Sequence, residues 1–142
     1  GVSFNNGIAT GLNGFNEEVS VEADTLRAVI YNKVFYPFKK VVPDAYAIFP
    51  YEGESTTTIS FCDLENRYPL LYNYLKQNED RVKKHNKEYR EGDLWHTYTR
   101  EHNHSLYSVD KIIIPMTAKD TIATFIKDKG LYCYFDNILC FE

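Results

Sequence analysis

Between Tyr68 and Lys84 the apolar side chains recur at helical spacing, and this stretch constrains the fold more than any other in the chain. Tyr68, Leu71, Tyr72, Leu75 and Val82 share one face. The opposite face is charged and sets Glu79 four residues before Lys83 and Asp80 four before Lys84, the order that favours ion pairs along a helix. Pro69 opens the segment at a position where a missing N–H costs nothing. The spacing predicts one main helix over about 69–84. A helix with one apolar face must bury it, and the flanking segments are short, aromatic and alternating. The 142-residue chain holds 12 Tyr and 9 Phe, residues that favour pleated, half-buried strands. The expected fold is α+β, one domain over 1–142, mostly antiparallel sheet around one main helix.

The remaining elements follow from local signals. Asn5-Asn6-Gly7-Ile8-Ala9-Thr10-Gly11-Leu12-Asn13-Gly14-Phe15 is dense in turn formers around apolar pieces, which predicts short strands with tight turns. Val19-Ser20-Val21 continues as a strand. Asp24 is placed to cap a short helix near 25–31, with Leu26, Val29 and Ile30 on one side. Tyr46–Phe49 and Thr57–Phe61 form a β-prone pair around Gly53, which predicts a hairpin. Lys87 to Asp93 reads as loop, Glu101 to Ser105 as an exposed loop, and Lys111-Ile112-Ile113-Ile114-Pro115 as a central strand. Thr121–Lys127, Leu131–Phe135 and Ile138–Phe141 predict a C-terminal β-meander.

Three cysteines at irregular positions, Cys62, Cys133 and Cys140, form no disulfide framework and read as free, buried thiols of a reducing compartment. The first residues carry no basic stretch followed by an apolar run, and no apolar run reaches the length of a bilayer span, so the expected location is the cytoplasm. The formal net charge of −4 argues against a nucleic-acid partner, because phosphate neutralisation usually supplies much of the affinity. Its distribution softens that objection. Residues 67–111 carry nine Lys/Arg against seven Asp/Glu, together with all four His.

Catalytic patterns are missing. Adenine methylation needs a Gly-rich cofactor turn and an Asn/Asp-Pro-Pro-aromatic tetrapeptide, and Phe49-Pro50-Tyr51 supplies only part of the latter. Pro43-Asp44 with Glu52 and Glu54 lacks the lysine that completes a Mg²⁺-dependent nuclease pattern. His102-Asn103-His104 spells the letters of the HNH nucleases, but those enzymes spread them across a finger-like fold, so adjacent residues read as a surface loop. The histidines lack a Cys-x-x-Cys partner for zinc, so no metal site is expected.

Five pieces occur in order: Gly7-Ile8-Ala9-Thr10-Gly11, Ile48-Phe49-Pro50-Tyr51, Pro69-Leu70-Leu71-Tyr72-Asn73-Tyr74-Leu75, Trp95 through Arg100, and Lys111-Ile112-Ile113-Ile114-Pro115. Over nearly the whole chain this order resembles the TaqI-like C-terminal specificity domain of adenine-specific DNA methyltransferases and fused restriction-modification enzymes. The resemblance implies a fragment of a larger chain: a target-recognition domain that binds double-stranded DNA. A covalently linked N-terminal methyltransferase domain would take the extruded adenine and use S-adenosylmethionine. No cofactor is implied for this domain itself. In some relatives the parent also carries an endonuclease. The alternative is a non-catalytic protein-interaction domain that docks a restriction-modification subunit through its acidic N-terminal half.

If the chain reads DNA, bases are read by polar side chains while cations fix the register on phosphates. Thr10 and Asn13 lie in the Gly-rich stretch, where local turn bonding is the competing role. Lys83, Lys84, Lys87 and Arg90 form the densest basic cluster, where the competing role is a solvated helix end. His96 and Arg100 flank an aromatic segment whose Trp95 reads as core, and His102 and Asn103 occupy the polar loop.

Overall fold

The computed structural model describes residues 1–30, 41–53, 55, 57–85, 88–89, 91–98, 109–115, 123–127, 131–133 and 138–141. In chain order the strands are β1 (Ser3–Asn5), β2 (Ile8–Leu12), β3 (Glu18–Glu22), β4 (Leu26–Ile30) and β5 (Ala45–Ile48), followed by helices α1 (Phe61–Arg67), α2 (Pro69–Gln77) and α3 (Glu79–His85). Strands β6 (Lys111–Pro115), β7 (Thr124–Ile126), β8 (Leu131–Cys133) and β9 (Ile138–Phe141) follow. The class is α+β, as the sequence predicts. Two compact units are formed, one from Gly1–Leu26 with Ile48–Glu101, the other from Arg27–Ala47 with His102–Glu142.

The first unit begins as the turn formers dictate. Asn6 and Gly7 both take positive φ, 49° and 77°, the geometry of a two-residue hairpin turn that Asn-Gly favours. This sets β1 antiparallel to β2, and β2 runs antiparallel to β3. Ala9 pairs with Val21, and both are buried. Thr10 pairs with Ser20, which by strand alternation places them on the other face. Val21 joins Ile59, Leu64, Leu71, Leu75 and Trp95 in one core.

The expected single helix is two. Asn78 interrupts it with φ −109° and ψ 11°, its N–H donating to the Leu75 carbonyl at 3.0 Å and its side-chain amide to Tyr74 O at 2.8 Å. Asn hydrogen-bonds the preceding turn as readily as it continues a helix, so α2 ends and α3 restarts. The apolar stripe is otherwise as read: Leu71 and Leu75 are buried and Val82 packs against their cluster. Glu79 pairs with Lys83; Asp80 and Lys84 form no ion pair.

Helix α1 departs from the sequence expectation, which places its first residue, Phe61, in a strand. Ser60 caps it, its Oγ accepting from the Asp63 N–H at 3.1 Å, and only a single bridge, Tyr51 to Thr58, remains of the expected hairpin. Cys62, expected buried, is exposed on α1, where its thiol donates toward Asp93 at 3.5 Å. That carboxylate holds the thiol above its ordinary pKa.

The helix expected near 25–31 is overturned. Ala23–Thr25 is a single 3-10 turn, and Leu26–Ile30 is strand β4, central in the order β5-β4-β8. Val29 and Ile30 are β-branched and buried, and parallel pairing with β8 outweighs the helical spacing of their neighbours. The C-terminal meander is likewise corrected. β6 lies between β7 and β9, all antiparallel, while β8 leaves to pair with β4. The central role expected of Lys111–Pro115 stands. Lys111 is 1% exposed on the same side of β6 as buried Ile113, its ammonium donating to Val109 O at 3.2 Å.

Candidate nucleic-acid interface

Asn13 is built into its own turn. Its Oδ1 accepts the N–H groups of Phe15 at 2.8 Å and Glu17 at 3.0 Å, and its amide donates to Glu17 at 2.9 Å and to the Tyr74 hydroxyl at 3.3 Å. These are the local bonds that make asparagine a turn residue, and they occupy the groups a base edge would need. Thr10 is half-buried, its hydroxyl 2.8 Å from that of Ser20, with exposed Ile8 and Leu12 two residues to either side on β2.

His96, expected as a DNA contact, is buried instead. It is 7% exposed, packed against the rings of Phe61 and Trp95 at 5.6 and 5.9 Å, and its Nε2 lies 2.9 Å from Ile59 O. A carbonyl only accepts, so Nε2 carries the proton and Nδ1 is bare, without a partner among the described residues. Burial pulls its pKa below the ordinary imidazole value. The side chain belongs to the core beside Trp95, which is 4% exposed as its reading as core requires.

Among the expected cations, Lys83 pairs with Glu79, which raises its pKa, and lies over the rings of Tyr89 and Trp95 at 5.6 and 5.5 Å. Lys84 is exposed and has no ion-pair partner among the described residues. Lys87, Arg90, Arg100, His102 and Asn103 lie outside the described residues. The segment leading to Arg100 is anchored: the Tyr98 N–H donates to the Tyr51 hydroxyl at 2.9 Å, the Tyr98 hydroxyl donates to Ile48 O, and Phe49, Tyr51 and Tyr98 cluster.

Sequence reasoning passed over Arg81. Its guanidinium grips Glu17 at 2.9 Å and lies over the Phe15 ring, 4.4 Å from the centroid. Arg81, with Asn13, holds the Glu17 carboxyl below its usual pKa. Helical spacing sets Arg81, Lys84 and His85 on one face of α3, at i, i+3 and i+4, a pattern readable within the basic run itself. Glu22 was passed over too. Its two oxygens accept from Leu70 N at 2.8 Å and Leu71 N at 3.0 Å, closing the first turn of α2 from β3.

Among the described residues no group of three or more His, Cys, Asp or Glu side chains is placed to hold a metal, and no helix is long and apolar enough to cross a membrane. Comparison with protein-family models, with curated proteins and with solved structures finds no match for this chain.

Proposed function

We propose that this chain reads double-stranded DNA for a separately folded, adenine-specific methyltransferase domain of a restriction-modification system. One observation supports the reading: four of the five pieces that resemble the TaqI-like specificity domain, far apart in sequence, meet in one packed unit, while the fifth, Lys111–Pro115, belongs to the second unit. The Gly-Ile-Ala-Thr-Gly piece runs from the β1–β2 turn into β2, paired to the strand that supplies Val21 to the core; the helical piece adds Leu71 and Leu75; the Trp95 piece adds its indole; and Ile48 packs against them. Surface cations on α3 then meet phosphate, while side chains near the anchored Tyr98 segment face base edges.

S-adenosylmethionine belongs to the partner domain in this scheme. The Gly-rich stretch here forms an antiparallel ribbon, β1-β2-β3, rather than the strand-turn-helix crossover that cradles such a cofactor, and these residues do not fit one. A second reading, docking of a protein subunit, is favoured by Ile8 and Leu12, which are 39% and 65% exposed.

Domain exchange separates the two. Replacing residues 1–142 in the parent enzyme with a counterpart of different site preference should move methylation to the counterpart's site. Unchanged methylation specificity with altered subunit assembly would favour docking instead.

A further inference from the structure

Phe15 stands in the β2–β3 turn with 61% of its surface in solvent, and none of the turn's hydrogen bonds needs an aromatic side chain. The turn under it is fixed. Asn13 ties it internally, and Arg81 of α3 holds Glu17 through both terminal guanidinium nitrogens, Nη1 and Nη2, at 2.9 to 3.3 Å. The same guanidinium lies over the ring, so Phe15 is a braced aromatic plate with a cation against it, and its exposed surface is open to a second planar group. Charge decides which group. One turn further along the same face of α3 come Lys84 and His85, both exposed and without an ion pair among the described residues. A flat apolar ring beside the exposed Lys84 ammonium and the His85 imidazole, both able to donate hydrogen bonds, complements a nucleobase and its phosphate, whereas an apolar protein surface would leave the ammonium unanswered.

We propose that Phe15, backed by Arg81, is a stacking platform for a nucleobase whose own stacking neighbour has been removed, with Lys84 and His85 meeting the adjoining phosphates. The inference rests on the DNA-reading function proposed above. It adds a place where an opened strand, rather than an intact duplex, is held.

The test measures fluorescence anisotropy of the 142-residue chain at low salt with two probes: a 24-base-pair duplex, and the same duplex with a one-nucleotide gap that leaves bases unstacked. The wild-type chain should prefer the gapped probe. Phe15→Ala should weaken binding to the gapped probe about tenfold, the order set by losing one base–aromatic stack, and leave the intact duplex within about twofold. Phe15→Tyr should bind as wild type and Phe15→Leu as Phe15→Ala, with circular dichroism confirming that each variant is folded. Equal binding of both probes by the wild type, or Phe15→Leu matching the wild type, overturns the stacking platform while leaving DNA reading intact. Unchanged DNA binding by Phe15→Ala together with weakened association with a protein partner also overturns it, and assigns the ring to docking. Binding of neither probe by the wild type overturns the DNA-reading function and the platform with it.

Discussion

His96 packs against both Phe61 and Trp95, and placing a proton on its bare Nδ1 would put a charge beside aromatic rings. The folded chain therefore holds the imidazole neutral, with its pKa below the ordinary 6.5, while the unfolded chain takes up a proton near that value. The sign follows. Stability is intact above pH 6.5 and declines as pH falls below it, until the folded form also protonates. A thermal melting series from pH 7.5 to 5 should show falling Tm in the wild type, and a shallower fall in His96→Gln. A parallel slope in the variant would place the pH effect elsewhere. Asn13 gives a second case at this scale. Its side chain makes four hydrogen bonds, so Asn13→Ala should cost about 1–2 kcal/mol by urea unfolding, with any loss of DNA affinity no larger than that destabilisation explains. Both residues were candidates for contact because sequence shows polarity but not what polarity is spent on. Neither Ile59 O nor the Tyr74 hydroxyl is near them in the chain.

At the scale of elements, the features legible in sequence are those with short-range causes. Asn6-Gly7 announced the β1–β2 turn, and the stripe of Leu71 and Leu75 announced α2. Leu26–Ile30 reads as helix because its spacing suits one, while one of its two strand partners, β8, lies roughly a hundred residues away, where no local pattern reports it. Helix α1 had a local signal that went unused, Ser60 followed three residues later by Asp63. The start of α2 joins local and distant causes. Tyr68 offers no side-chain cap, Pro69 removes one orphan N–H, and Glu22 of β3 accepts the next two. Glu22→Gln keeps one acceptor oxygen and loses the charge, and should destabilise the fold by about 1–2 kcal/mol in urea melts. A change within about 0.3 kcal/mol would mean that water replaces the carboxylate there at no cost.

For the whole molecule, the net charge of −4 hides a local surplus of cations on α3. DNA affinity that depends on those cations should fall steeply with salt. Lys84→Ala should reduce the slope of log K against log salt by about one and weaken binding to all sequences alike. An unchanged slope would remove Lys84 from the phosphate contacts. The candidate site was legible only in part. The basic run was visible, but its division into paired Lys83, bracing Arg81 and exposed Lys84 depends on what each side chain meets in space.

The pairing of Ala28 with Leu131 governs the order in which the chain can assemble. A ribosome must release about a hundred residues after β4 before its parallel neighbour exists, and loop closure over that span is slow. Until then Val29 and Ile30 form an open sticky edge during synthesis. Chaperone demand and the yield of soluble product should therefore be set by these two residues rather than by the early-closing ribbon of β1, β2 and β3.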